Sequence, residues 1–251
     1  MAGFYESGLE YMDPVEGLGM TGGTQVPDLL VGGIFTVPET AELVGAPQAS
    51  VRVWVGGKKG RQAPVIDNQL GMVDGKVAVS FTNLMELRFV SQFSKAGVRL
   101  NEIRSIMQEA KDTLAHPHPF ATKIVFHTDG KKIVAAITRR HGVELVFEDL
   151  KTKNYEIPIV VLPSLKEDVV FDPNGNMVAW YPRKEIAPNV IVHPRFSFGR
   201  PVLQDSRIPT ETLALAVKAE GSVRSVAEQF EIPEKQVREA VRFQADLRQA
   251  A

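Results

Sequence analysis

The sequence predicts an α+β protein: a winged helix-turn-helix near the N-terminus, a small central antiparallel β region, and a C-terminal helical domain that is itself helix-turn-helix-like. Three observations predict it. Two short helical patterns flank Gly45-Ala46-Pro47 and lead into an alternating strand pattern at residues 72–80. Runs rich in valine and isoleucine, broken by turn residues, fill positions 123–178. Three helical stretches follow Pro209. These features divide the chain into a flexible acidic arm (1–33), the winged unit (34–119), the β-rich region (120–185) and the C-terminal helical domain (186–251).

Composition narrows the function. The 251 residues carry a net charge of −1, with 44% hydrophobic and 24% charged residues, as in an ordinary globular protein. There is no cysteine, which excludes disulfides, thiolate metal sites and cysteine nucleophiles. No apolar run reaches the roughly 18 residues of a membrane span. Residues 1–30 hold Glu6, Glu10, Asp13, Glu16 and Asp28 without Lys or Arg, the reverse of a signal peptide's basic start, so a cytoplasmic location is expected. The same Gly-rich, acidic composition predicts a mobile arm.

In the winged unit, Ala41, Leu43 and Val44 share one side of the first helical pattern, and Val51 and Trp54 share one side of the second. From Leu43 to Ile66 there is no Asp or Glu, while Arg52, Lys58, Lys59 and Arg61 add four positive charges. Such a local positive field points to phosphate contact. The candidate DNA-binding residues are therefore Gln48, Ser50, Arg52, Trp54, Lys58, Lys59 and Arg61. The first three offer polar groups to base edges, and the later cations neutralise backbone charge. Residues 72–80, with Asp74-Gly75 as their turn, read as a hairpin that forms the wing. A helix over residues 81–95 follows, with Thr82 as its N-cap and Gly97 at its end, and then a helix over 100–114 stopped by His116-Pro117-His118-Pro119.

This segment resembles the MerR family of winged-helix regulators. The resemblance rests on Thr36-Val37, Ala41 and Leu43-Val44-Gly45, then Ser50-Val51-Arg52 and Trp54, then Phe81-Thr82 and the Gly97–Arg104 stretch, GVRLNEIR. Val53 stands where the family usually has an aromatic and Ala49 where it often has a basic residue. The family's long dimerising coiled coil and the cysteines of its metal sensors are absent, so metal sensing is not implied.

In the β-rich region, strands are expected at 124–126, 133–134, 143–147, 157–162 and 169–171, with turns at Asp129-Gly130, His141-Gly142 and Asn174-Gly175. Beyond it, helices are expected at 211–219, 223–230 and 233–247, with Thr210 and Ser222 as N-caps and Gly221 as a terminator. His193-Pro194-Arg195, Gly199-Arg200-Pro201 and Arg207-Ile208-Pro209 resemble the hallmarks of a small domain common in bacterial antitoxins, with Asp205-Ser206 replacing its usual Gly-Thr.

Together the two resemblances imply a VapB-type antitoxin. Such a protein belongs to a type II toxin-antitoxin system, neutralises a PIN-type ribonuclease toxin and represses its own operon by binding operator DNA, here as a homodimer or within a higher hetero-oligomer. Arg195, Arg200 and Arg207 are candidates for capping the toxin's carboxylates, or for holding the domain's own loops together. The alternative is a stand-alone MerR-like transcriptional regulator with an unknown ligand or partner. His116 and His118 read as a loop that ends a helix, and no metal, cofactor or membrane partner is expected. No phosphate loop, serine elbow or spaced carboxylate pair appears, so the expected role is non-enzymatic.

Overall fold

The computed structural model describes residues 32–58, 61–146, 159–161 and 166–249. The expected arm up to residue 31, Lys59, and Phe147 and residues 157, 158 and 162 of the expected strands lie outside the described residues.

The chain is a mixed α+β protein. Strand β1 (Ile34–Thr36) delivers Thr36 as the N-cap of α1 (Val37–Val44). The Thr36 hydroxyl accepts from the Glu39 amide at 3.3 Å, while the Glu39 carboxylate accepts from the Thr36 amide at 2.7 Å. This reciprocal box satisfies two amides that a helix start leaves open. Gly45, at φ 62° and ψ 52°, ends α1 in the left-handed region, and α2 (Gln48–Gly56) follows Pro47. The hairpin β2 (Met72–Val73) and β3 (Lys76–Ser80) turns through Asp74 and Gly75, both at positive φ, as a two-residue hairpin loop requires. Strand β3 also pairs antiparallel with β1, giving the order β1-β3-β2.

Helix α3 (Phe81–Lys95) is capped by Ser80, whose hydroxyl accepts from the Asn83 amide at 3.1 Å, and not by the expected Thr82. The hydroxyl one residue ahead of the first helical position reaches the third helical amide, whereas Thr82 is already inside the turn. The helix is buried nearly all round, with Leu84, Met85, Leu87, Phe89, Val90 and Phe93 in the core, so it is the central element of the fold. Helix α4 (Leu100–Leu114) packs beside it and stops at Ala115, just before the two prolines.

The central region departs from expectation. The strands expected at 124–126 and 133–134 are instead a 3-10 turn (Lys123–Phe126) and helix α5 (Thr128–Arg140). Val134 and Ile137 are buried three apart, which is a helical spacing that the apolar pair Ile133-Val134 disguises. The expected Asp129-Gly130 turn lies in the first turn of α5. Gly130 is there for clearance, since a Cβ would stand 1.8 Å from the carbonyl oxygen of Ile124.

Strands β4 (Glu144–Val146) and β5 (Ile159–Val161) do form, but they pair parallel and not antiparallel. Apolar runs without alternation do not encode strand direction. Strands β6 (Val169–Phe171) and β7 (Met177–Trp180) pair antiparallel across the expected Asn174-Gly175 turn. Short strands β8 (Val190–Ile191) and β9 (Val202–Leu203) pair ahead of helices α6 (Thr210–Glu220), α7 (Val223–Gln229) and α8 (Glu234–Gln249).

Ser222 caps α7 through the Ser225 amide at 3.2 Å, and Gly221 ends α6 at φ 69°. Thr210 does not cap α6. Its amide and hydroxyl both donate to the carbonyl of Pro201, and Pro209 holds the cap position. One continuous apolar cluster runs from Phe35 through α3 to Leu247, so the N- and C-terminal parts share a core.

Candidate nucleic-acid interface

Helix α2 places two kinds of residue on two faces. Val51, Trp54 and Val55 are buried, while Gln48, Ala49, Arg52 and Gly56 are exposed. Gln48, Arg52 and Gly56 stand at four-residue intervals and form one outward stripe. That stripe runs into a closed loop in which Lys58 and Gln62 exchange both backbone hydrogen bonds, at 2.8 and 2.9 Å. The loop displays Lys58 and Arg61 to solvent. Gly57 makes its closure possible, because a Cβ there would meet the Gln62 carbonyl at 2.4 Å.

The loop is held from behind. Arg104 donates to the carbonyls of Ala63 and Pro64 at 2.8 and 3.2 Å, and the Val65 amide returns to the carbonyl of Trp54 at 2.7 Å. Lys111 pairs with Asp67, a carboxylate just beyond the basic segment. A cavity of about 310 Å³ lies behind this strap, lined by Glu86 and Arg104 among others.

The expected interface residues divide accordingly. Gln48, Arg52, Lys58 and Arg61 are exposed along the α2 stripe and its loop, and Ser50 is half-buried at the edge of the helix. Trp54 is 3% exposed and belongs to the core, which corrects its placement among the DNA-contacting residues. It sits on the same face as Val51, where an indole gains more from apolar burial than from solvent. Lys59 lies outside the described residues.

The start of α2 is fixed through the end of α1. The carbonyl of Val44 accepts from the Ser91 hydroxyl at 2.9 Å and from Lys95 at 3.3 Å. Burial, and then Arg183, lower the affinity of Lys95 for its proton. Arg183 donates to the carbonyls of Glu42 and Leu43 and pairs with Asp246 on α8. The helix-turn-helix pattern of the sequence carries no sign of Arg183, which arrives from far along the chain.

His118 joins a partly buried polar network. Its Nδ1 lies 3.2 Å from Glu86 and its Nε2 lies 3.0 Å from Gln69, while Asn83 also donates to Glu86 at 3.1 Å. Among the described residues no group of three or more His, Cys, Asp and Glu is placed to hold a metal.

The arginines of the C-terminal domain are dispersed in role. Arg207 stacks over Phe196 with its guanidinium 4.5 Å from the ring centroid, and Phe196 stacks on His193 at 4.1 Å. This three-layer stack, with Arg207 at φ 56°, favours a role inside the domain's own loops. Burial, followed by the charges of Arg195 and Arg207, pulls His193 down to about 4. Arg195 and Arg200 are exposed, and Arg200 lines a groove against α1. In the C-terminal helices, Ala227 and Val237 are buried while Arg238 and Arg242 face outward.

A family described as protein of unknown function (DUF433) matches residues 190–243. A protein of Mycobacterium tuberculosis (strain ATCC 25618 / H37Rv) named "Putative antitoxin VapB45" is 22% identical over 83% of this chain and 92% of its own length. The crystal structure of Rv2018 from Mycobacterium tuberculosis superposes with a TM-score of 0.64 at 19% identity, over 82% of this chain and 96% of that one. The architecture described above is therefore shared across nearly the whole of that chain.

Proposed function

We propose that this protein is a cytoplasmic antitoxin of a type II toxin-antitoxin pair. It binds and neutralises a PIN-type ribonuclease and represses its own operon through α1, α2 and the β2–β3 hairpin, acting as a MerR-like winged helix-turn-helix. The relative named as an antitoxin supports the first half, since its similarity spans most of both chains. The observation that carries the second half is the outward stripe of α2, Gln48 and Arg52, continuing into Lys58 and Arg61 without an intervening acid.

Gln48 and Arg52 reach base edges from a helix whose other face is buried, and the loop cations set register on phosphates. A homodimer places two such helices about one helical turn of DNA apart on a repeated operator. No catalytic role, metal or cofactor enters this function.

Two measurements test it. The purified protein should shift DNA taken from upstream of its own reading frame, with an affinity that falls steeply as salt rises. The product of the adjacent reading frame should form a stable complex with it and lose ribonuclease activity in that complex. Failure of the first removes the repressor function, and failure of the second removes the antitoxin function.

A further inference from the structure

We propose that the groove between α1, the Ser197–Gly199 turn and the start of α6 is a docking surface for a partner protein, and that it takes a cationic segment of that partner flanked by apolar side chains. The inference rests on the antitoxin reading, under which the partner is the ribonuclease, and it assigns the contact to carboxylates instead of the domain's arginines.

The groove has a volume of about 380 Å³ and joins distant parts of the chain. Glu39 and Glu42 come from α1, Glu211 from the first turn of α6, and Arg200 is the one cation among the described residues of its lining. The Glu39 carboxylate is engaged in capping α1. Glu42 and Glu211 form no ion pair or hydrogen bond among the described residues. Burial, and then the nearby Glu39 and Glu211, raise the Glu42 carboxyl above its ordinary value, against a smaller opposing pull from the charge of Arg248 on α8. A partner lysine or arginine seated there would relieve that repulsion and give the two carboxylates charged donors in place of water.

The rim supplies the apolar half. Phe198 is 81% exposed and lines the groove, and Leu215, at 52%, stands one helical turn beyond Glu211 on the same face of α6. The display of Phe198 is enforced from below. Gly199, at φ 90°, lies so close to the Phe35 ring that a Cβ would come within 2.6 Å of it, while Phe198 itself is held at φ 60°. A rigid aromatic held outward beside a groove has the form of an interface anchor.

The sign of the charge selects the occupant. The chain's own residues 1–30 contain five acids and no base, which is the wrong sign for this groove. A partner segment bearing Lys or Arg has the right one.

The test uses the full chain and the product of the adjacent reading frame, titrated against each other at two salt concentrations. Wild type should bind. E42Q/E211Q should bind at least tenfold more weakly and with a flatter salt dependence, E211K weaker still, and F198A at least tenfold more weakly. Thermal unfolding of all variants should match wild type, and R195Q should bind as wild type does. If wild type binds and the groove variants bind equally well, the groove is not the docking surface while the antitoxin reading stands. If R195Q alone loses binding, the contact belongs to the arginines and the proposal is overturned. Wild type that fails to bind removes both. A concentration-dependent self-association that E42Q/E211Q abolishes, with toxin binding intact, assigns the groove to a second copy and overturns the proposal.

Discussion

The guanidinium of Arg183 lies 3.1 Å from the carbonyl oxygen of Leu43, and its other edge meets Asp246 at 2.5 Å. One side chain thereby ties the last turn of α1, directly ahead of the α2 stripe, to the C-terminal helix α8. The open carbonyls of a helix end carry partial negative charge, so a cation there serves both as a hydrogen-bond donor and as a partner for the helix dipole.

Replacing Arg183 with Met should lower the unfolding free energy by about 2–3 kcal/mol, because partly buried carbonyls and a carboxylate lose a charged donor together. A double-mutant cycle with D246N should return a coupling energy of about 1 kcal/mol or more, measured by urea unfolding. A loss of under 0.5 kcal/mol for R183M would mean that the tie contributes nothing to the fold.

Trp54 and Arg52 are two residues apart in one helix and should fail in different ways. W54A should destabilise the protein by about 3–5 kcal/mol through loss of a buried indole. The triple replacement of Arg52, Lys58 and Arg61 by Ala should leave unfolding within about 0.5 kcal/mol of wild type. It should also make the plot of log binding constant against log salt shallower by about 2, since the two loop cations Lys58 and Arg61 each hold a phosphate and each such contact contributes roughly 0.9 to that slope. Chemical denaturation and filter binding on the same preparations separate the two outcomes.

His193 should make stability pH-dependent. Its proton affinity in the folded state is depressed to about 4 from an ordinary value of 6.5, so the unfolded chain binds the extra proton. The associated stability is fully present above pH 6.5 and is lost as the pH falls toward 4. The neutral ring also accepts from the Arg195 amide at 3.1 Å, a bond that protonation of Nδ1 removes. Melting temperature followed from pH 7.5 to 4.5 should fall less steeply in H193Q than in wild type.

Gly130 should reverse the usual helix rule. Alanine for glycine inside a helix ordinarily stabilises by about 1 kcal/mol. Here the added methyl would meet the carbonyl of Ile124 at 1.8 Å, against backbone that cannot swing aside. G130A should therefore destabilise by about 2–3 kcal/mol. G142A serves as a control for a glycine with open space around it but a positive φ of 73°, and strain alone should keep its cost near 1 kcal/mol.

Local rules were legible in the sequence wherever one segment contains its own cause. The turn at Gly45, the Asp74-Gly75 hairpin, the stop after Leu114 and the Ser222 cap each follow from residues within a few positions of one another. The exposed cations of α2 and its loop were legible for the same reason, as was the mixed α+β class. Helix α5 was not, because the adjacent Ile133 and Val134 imitate a strand and the glycine beside Asp129 imitates a turn, while its real purpose is clearance from Ile124.

The sequence by itself determined which segments turn, cap and carry charge, since those properties depend on neighbours along the chain. Only the tertiary structure decided that Trp54 faces the core, that β4 and β5 run parallel, that Arg183 holds α1 to α8, and that Glu42 and Glu211 share a groove with Phe198. Each of these requires residues far apart in the chain to meet. Their meeting is set by how the common core packs around α3, which periodicity along the chain does not encode.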